Sequence, residues 1–178
     1  MAAFTGLLLK WDLFLFGCIN ARTRRASRDR LWRSISRSAD GQVYPAVVLV
    51  LVLTQAQSWR RILLAFVVSF ALELSIYKTV KQWVKRARPS CALAGIEQLV
   101  VPQDLFSFPS GHTAAAFQAA LLLGHWCAPM IIPMYMWSSL VGFSRVYLGV
   151  HYPADVIAGA SLGIIAAKAG LLISSVML

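Results

Sequence analysis

Charge is scarce in this sequence: 13% of its 178 residues are Asp, Glu, Lys or Arg, whereas 58% are hydrophobic. An ordinary soluble domain carries about 25% charged residues, so this composition excludes one and indicates a membrane protein. Acids are the scarcest, with seven Asp and Glu against seventeen Lys and Arg, which gives a net charge of +10. That excess favours anionic partners such as phosphates and acidic lipid headgroups. We expect no nucleic-acid partner, because a chain buried in lipid offers little surface for one.

Cysteine is also rare. Cys18, Cys91 and Cys127 form no CxxC pair, which argues against a zinc site or a disulfide framework. We interpret them as packing residues. We also expect no cleavable signal peptide, because the first apolar run contains Lys10 and Asp12 and has no clear cleavage site after it.

Five apolar segments approach the length of about 20 residues that a transmembrane helix needs. They are Gln42 to Gln57, Trp59 to Val84, Pro109 to Trp126, Pro129 to Tyr147 and Tyr152 to Leu178. A sixth stretch, Ala3 to Asn20, either spans the membrane or lies in its interface, because Lys10 and Asp12 would be expensive in a bilayer. The sequence therefore predicts an all-α polytopic transmembrane bundle of five to six helices. We expect one domain, residues 1–178, with an N-terminal helix and basic segment (1–40) and a helical core (42–178).

A basic segment separates the N-terminal stretch from the predicted core. Its seven arginines alternate with apolar residues such as Leu31, Trp32 and Ile35; they are Arg22, Arg24, Arg25, Arg28, Arg30, Arg33 and Arg37. This pattern is typical of a helix that rests on anionic lipid headgroups. A solvated loop that only sets the topology would carry the same composition.

Polar residues gather where the predicted spans end, and consecutive spans alternate in direction. Lys81 and Arg88 end one span, His112 begins the next, and His151 precedes the last, so all of them are predicted to meet at one membrane face. Lys81 and Arg88 are two helical turns apart and would form a phosphate clamp if the helix continued to Pro89. A cationic helix end without a ligand is the alternative.

The two remaining motifs suit phosphate chemistry as well. Ser110 can cap a helix, Gly111 permits close approach, and the free amides behind them can hold phosphate oxygens. His112 could act as a general acid, although a serine cap beside an incidental histidine would look the same. His151 and Asp155 are four residues apart, so the carboxylate can orient the ring of a nucleophile. The alternative is a buried pair in which the two side chains only hydrogen-bond to each other and have no catalytic role.

Together the motifs resemble the tripartite signature of the type 2 phosphatidic acid phosphatase (PAP2) superfamily over residues 81–155. The signature residues are Lys81, Arg88 and Pro89; Pro109, Ser110, Gly111 and His112; and Ser144, Arg145, His151 and Asp155. The resemblance implies a lipid phosphatase with no cofactor and no metal, in which His151 forms a phosphohistidine and Asp155 holds its ring. It implies that His112 protonates the leaving group and then helps to activate water. It also implies that the phosphoryl oxygens are bound by five residues: Lys81, Arg88, Ser110, Gly111 and Arg145.

Several residues outside the motifs carry further expectations. Glu97 and Asp104 are interpreted as solvated loop acids, with substrate selection as the alternative. Glu73 shares a helical face with Lys81, and we expect it to have a structural partner. His125 is expected near the opposite interface, about 20 Å from His112 along a helix. Gly159 and Gly163 are expected to form the close-packing face of the last helix.

The sequence leaves the substrate open among phosphatidylglycerophosphate, phosphatidic acid, undecaprenyl diphosphate and lipid A phosphates. A phosphotransferase with a lipid diphosphate donor and a non-catalytic protein that binds anionic lipid are the competing functions. A haloperoxidase is disfavoured because those proteins are typically larger and soluble. We expect a bacterial inner-membrane protein whose site faces the periplasm, although the arginines would then lie on the outer side, against the positive-inside tendency. No oligomeric state is predicted.

Overall fold

The computed structural model describes residues 2–20, 25–55, 58–102 and 104–178, with side chains from residue 9 onward. All regular structure in these ranges is helical. The helices are α1 (Ala2–Asn20), α2 (Ala26–Arg37), α3 (Val43–Thr54), α4 (Trp59–Val84), α5 (Pro89–Ala92), α6 (Gly111–Trp126), α7 (Ile131–Tyr147) and α8 (Pro153–Met177), with a 3-10 turn, Ala128–Met130, before α7. The predicted all-α fold is confirmed, and each predicted span corresponds to one helix.

The helices of the core differ in length. The segment Trp59–Ala92 and α8 are long and apolar enough to cross a bilayer by themselves. Helices α3, α6 and α7 have 12, 16 and 17 residues. Short spans are accommodated by local thinning of the bilayer or by flanking residues that reach the interface. The chain is therefore a membrane-embedded bundle with uneven helix lengths.

Helix α6 occupies the centre of the bundle and packs against α4, α7 and α8. Glycines on α8 permit the close approach: a Cβ at Gly159 would overlap the carbonyl oxygen of Ser110, and a Cβ at Gly163 would overlap that of Ala114. About two turns further on, Gly170 makes the same kind of contact with α4. The prediction that Gly159 and Gly163 form a packing face is confirmed.

Helix α1 is attached to one end of this bundle. Its Asp12 is buried, accepts a hydrogen bond from the backbone N–H of Ala154 (2.8 Å) and forms an ion pair with Arg86. The Asn20 side chain donates to the carbonyl of Val146 at the end of α7 (3.1 Å). Since both contacts lie at the same end of the bundle, residues 12–20 cross that end, which favours the interfacial interpretation of this stretch.

The basic segment is helical from Ala26 to Arg37, so its interpretation as a loop is wrong for the described residues; Arg22 and Arg24 lie outside them. Helix α2 packs along α7 through Trp32, whose ring centroid lies 4.7 Å from that of Phe143. Arg30 and Arg37, seven residues apart, share the exposed side of α2. An amphipathic helix thus presents arginines beside α7.

Two of the three cysteines do not pack. Cys18 and Cys91 are exposed and Cys127 is half-buried, all three with free thiols. The interpretation as packing residues is therefore wrong for Cys18 and Cys91. Both lie in segments that cover the end of the bundle where α1 is attached, and outside its core.

Candidate active site

Two buried cations, Lys81 and Arg88, lie side by side, but not because one helix carries both. Helix α4 ends at Val84, where Lys85 adopts a left-handed backbone conformation (φ 49°). Arg88 then has an extended conformation, as expected for a residue before proline, and Pro89 begins α5 instead of ending α4. The expectation of a continuous helix is wrong, yet the loop brings Arg88 back, so the two cations still form a clamp.

Asp104 fills the space between these cations. Its carboxylate lies 2.7 Å from Lys81 Nζ and 2.6 Å from Arg88 Nη2, and it accepts a hydrogen bond from the Tyr77 hydroxyl. Although partial burial opposes ionisation, the hydrogen bonds and charges of Lys81 and Arg88 hold the pKa of Asp104 below its ordinary value. The interpretation of Asp104 as a solvated loop acid is wrong. A carboxylate occupies the clamp that the motif residues form.

His151 is 2% exposed and is held by a backbone group. Its Nδ1 lies 2.7 Å from the carbonyl oxygen of Ser107. Because a carbonyl only accepts, Nδ1 must carry the proton and Nε2 must carry the lone pair. Burial lowers the pKa of His151 to about 4, and the charges of Arg145 and Arg88 act in the same direction against the partial compensation of Asp155. The ring is therefore neutral at physiological pH, with Nε2 able to act as a nucleophile.

Asp155 is fully buried but contacts His151 less closely than the four-residue spacing predicts. Its Oδ2 lies 3.6 Å from His151 Nδ1, which is an ion-pair distance and too long for a hydrogen bond. It accepts hydrogen bonds from the Tyr152 N–H (2.8 Å) and from Arg86 Nη1 (2.7 Å). His151 precedes α8, so the two residues do not share a helical face. Asp155 therefore supports the loop of His151, while Ser107 holds the ring.

Arg86 links this support to the N-terminal helix. Its guanidinium pairs with Asp155 and with Asp12 of α1 and lies 4.0 Å above the ring of Tyr152. Sequence reasoning missed both Arg86 and the role of Asp12. The sequence did contain a signal: Asp12 lies in an apolar run, and an acid in such a run needs a cationic partner.

The motif before α6 places a helix N-terminus beside the clamp. Ser110 is the N-cap residue, but its hydroxyl bonds to that of Thr113 (2.9 Å) and makes no cap hydrogen bond to the backbone, so that expectation is wrong. The Ser110 N–H donates to the carbonyl of Asp155 (3.0 Å), which joins two motifs directly. A Cβ at Gly111 would come within 2.9 Å of the Tyr77 ring. Glycine therefore permits the close approach of α6 and α4 at this site.

His112 is oriented by an acid that sequence reasoning missed. Its Nε2 lies 3.0 Å from Oδ1 of Asp40, in the connection between α2 and α3. Arg145 and Asp104 are within electrostatic range of the ring. Hydrogen bonding to a carboxylate stabilises the protonated form of an imidazole. Asp40 therefore orients the His112 ring at the start of α6.

Arg145 provides the third cation. It is buried in the last turn of α7, where its Nη1 donates to the hydroxyl of Ser36 on α2 (2.5 Å). Its Nε is buried and makes no hydrogen bond within the described residues. Three cations and two histidines thus converge from four parts of the chain, which is the arrangement predicted from the motifs.

An apolar cavity of about 710 Å³ opens from this site between α3 and α4. Tyr77, Gly111 and His112 line it next to the motifs, and Trp59 and Leu63 line it towards the other end of α4. Its volume lies within the range of about 300–1,000 Å³ that is typical of ligand sites. His125 is remote from it, in the last turn of α6 with its ring against Trp126, as predicted.

These features define a class: a membrane-embedded helical bundle with a cluster of buried cations and histidines at one end. The model of the PAP2 superfamily matches residues 62–176, and the chain belongs to that superfamily. It is 32% identical over 120 residues to phosphatidylglycerophosphatase B of Bacillus subtilis and 31% identical over 125 residues to an undecaprenyl-diphosphatase of Sulfolobus acidocaldarius. These matches cover 61% and 67% of this chain but only 55% and 57% of the relatives' length.

A solved structure extends the similarity to the fold. The crystal structure of LpxE from Aquifex aeolicus superposes with a TM-score of 0.75 at 30% sequence identity, covering 89% of this chain and 93% of LpxE. The residues that the family model matches, 62–176, include every motif residue from Lys81 to Asp155. The fold and family are thus established independently of the site geometry.

Proposed function

We propose that the chain is a lipid phosphatase that hydrolyses a phosphate monoester or diphosphate of a membrane lipid through a phosphohistidine intermediate. The observation that carries the proposal is the state of His151. Its Nδ1 proton is committed to the Ser107 carbonyl, which leaves the Nε2 lone pair available among buried cations. A protein that only binds anionic lipid needs the charges but no nucleophile of this kind.

In the first half of the reaction, Nε2 of His151 attacks phosphorus and the bond from phosphorus to the lipid oxygen, or to the leaving phosphate of a diphosphate, breaks. His112 gives its proton to the leaving oxygen. Lys81, Arg88 and Arg145 bind the phosphoryl oxygens together with Ser110 and the Gly111 amide, once the phosphate has displaced Asp104 from the clamp.

In the second half, His112 is neutral and takes a proton from a water molecule. The water oxygen attacks phosphorus, and the bond from phosphorus to Nε2 of His151 breaks. Inorganic phosphate leaves, and both histidines return to their starting states. In this scheme Asp40 positions His112, and Asp155 with Ser107 positions His151.

The apolar cavity supports a lipid as the leaving group. It begins at His112, where the leaving oxygen would be protonated, and continues between α3 and α4 with a mainly apolar lining. The names of the relatives, a phosphatidylglycerophosphatase and an undecaprenyl-diphosphatase, point to the same substrate class.

The test is phosphate release by purified protein in detergent with a chelator present. The substrates are phosphatidic acid, phosphatidylglycerophosphate, undecaprenyl diphosphate and a lipid A phosphate, and His151→Ala is compared with the control His125→Ala. We expect release from at least one lipid by wild type and by His125→Ala, and none by His151→Ala. Equal release by His151→Ala, or phosphate found on an added acceptor alcohol instead of in solution, would contradict the proposal.

We also infer that α2 contacts anionic headgroups through Arg30 and Arg37. Both are exposed on one side of a helix that packs on α7. Surface cations of this kind contribute about 1 kcal/mol each near an anionic membrane. In nanodiscs, the double variant Arg30→Gln and Arg37→Gln should retain fewer anionic lipids per protein than wild type. Equal retention would contradict this inference.

For localisation we propose a bacterial inner membrane with the site facing the periplasm. Gln103, in the loop before α6, lies outside the described residues, but Cys91 is exposed in α5 at the same end of the bundle. A variant with Cys18→Ser and Cys127→Ser leaves Cys91 for a membrane-impermeant maleimide. We expect Cys91 to be labelled while the inner membrane is intact. Labelling only after this membrane is breached would show that the site faces the cytoplasm.

A further inference from the structure

Glu73 is a buried acid that the proposed reaction does not use. It lies on α4, is 5% exposed, and belongs to the lining of the apolar cavity. Within the described part of the chain, no group forms a hydrogen bond or an ion pair with its carboxyl group. The expected structural partner is therefore missing from these residues. A carboxyl group turned towards hydrocarbon without a partner is costly, so its presence calls for a polar group in the cavity.

The depth of Glu73 indicates where this polar group would be. Glu73 precedes Lys81 by eight residues, which is about 12 Å along the helix axis at 1.5 Å per residue. Tyr77 lies between them and also lines the cavity. A lipid whose phosphate binds at Lys81 would therefore extend the groups that follow its headgroup into the part of the cavity that Tyr77 and Glu73 line.

Lipid classes differ in what they carry at this depth. In a diacylglycerol phosphate, two ester groups lie between the phosphate and the hydrocarbon, and each has a carbonyl oxygen that accepts a hydrogen bond. In a polyprenyl phosphate, hydrocarbon follows the phosphate directly and nothing can pair with a carboxyl group. A site that offers an unpaired buried polar group discriminates strongly against a ligand that cannot pair with it.

We propose that Glu73 is a specificity-determining residue that donates a hydrogen bond to an ester carbonyl of a diacylglycerol-type lipid phosphate, so that the site prefers this class to polyprenyl phosphates. The inference rests on the proposed phosphatase function and names the substrate class of that same site. Two observations support a diacylglycerol-type lipid in the cavity: the cavity reaches His112, and its lining contains the unpaired carboxyl group of Glu73.

The experiment compares three lipids, of which the first two differ only in the ester carbonyls. Dioleoyl phosphatidic acid carries the ester carbonyls, its dialkyl ether analogue has the same chains without them, and undecaprenyl diphosphate has neither ester nor ether. The variants are Glu73→Gln, which keeps a hydrogen-bond donor, and Glu73→Leu, which removes it. Leu74→Ala changes an apolar residue of the same lining and serves as the control. Soluble p-nitrophenyl phosphate reports whether the catalytic residues remain intact.

For wild type we expect kcat/KM to be about tenfold higher for the ester than for the ether, which corresponds to about 1.4 kcal/mol. Glu73→Gln should keep this ratio, and Glu73→Leu should bring it close to one while hydrolysis of p-nitrophenyl phosphate stays within about twofold. Leu74→Ala should change kcat/KM for the ester and for the ether by the same factor.

Three results would overturn the inference: equal rates for ester and ether by wild type, an unchanged ratio in Glu73→Leu, or a wild-type preference for undecaprenyl diphosphate. The first and third need no variant, so they remain decisive even if Glu73→Leu does not fold. The proposed function fails separately, when wild type releases no phosphate from any lipid or when His151→Ala releases as much.

Discussion

Replacing Asp40 with asparagine tests whether His112 gives a proton to the leaving group. Oδ1 of Asp40 lies 3.0 Å from Nε2 of His112, so the carboxylate stabilises the protonated ring. A hydrogen bond to a charged group is worth about 1.5–3 kcal/mol. Because the Asp40 side chain is 45% exposed, solvent screening reduces its contribution, and we take about 1 kcal/mol. That value corresponds to about a fivefold slower release of the leaving group.

The assay depends on the leaving group. A lipid alkoxide needs a proton as it departs, whereas p-nitrophenolate leaves without one. Because His112 also activates water in the second half of the reaction, the comparison uses the rate of leaving-group release in the first turnover. Asp40→Asn is expected to lower this rate about fivefold for a lipid phosphate and under about twofold for p-nitrophenyl phosphate, and His112→Asn should show the same pattern with a loss of about 10²–10⁴-fold on the lipid. Asp29→Asn is the control: Asp29 lies on α2 and accepts a hydrogen bond from the hydroxyl of Tyr147 on α7, so this change should affect neither substrate. An equal loss on both substrates in Asp40→Asn, or no loss on the lipid, would refute the reasoning.

Two further predictions concern protonation and packing. Because burial lowers the pKa of His151 to about 4, its ring stays neutral above that value and loses its nucleophilic lone pair only as the pH falls through it. The rate, corrected for ionisation of the substrate phosphate, should therefore show no decrease as the pH is lowered from about 8 to about 5.5; a decrease centred near 6.5 would contradict this state of the ring. Gly163→Ala should lower the Tm in detergent by about 4–10 °C, because its Cβ would overlap the Ala114 carbonyl. Gly17→Ala, where a Cβ meets nothing within 4 Å, should leave the Tm unchanged or raise it; equal effects would contradict the packing argument.

The helices could be predicted because hydrophobic length and helix-terminating residues are local properties. The predicted span Trp59 to Val84 coincides with α4, and the predicted start and end of α8 are each one residue from the observed ones. The motif residues could be brought to one face because consecutive spans alternate in direction. Neither argument gives the backbone path after α4, where Lys85 turns the chain and Arg88 approaches from a loop.

The acids around the site could not be placed from local patterns. Asp40 meets His112 across 72 positions, and Asp12 meets Arg86 across 74, so no helical period relates the partners. The general signal was composition: with only seven acids against seventeen cations, each acid has many competing partners near a cationic site. Four of the seven, Asp12, Asp40, Asp104 and Asp155, contact the site residues or Arg86.

In the proposed reaction, the carboxylate of Asp104 between Lys81 and Arg88 affects the end of each turnover. It is a tethered competitor for the anion site, so its local concentration does not depend on the surrounding solution. Every phosphate that binds must exchange with it, which weakens the hold on substrate and on product alike. When inorganic phosphate loosens, the returning carboxylate neutralises the two cations at once. Product release is therefore an exchange of phosphate for the Asp104 carboxylate, so the buried charges of Lys81 and Arg88 always have an anionic partner.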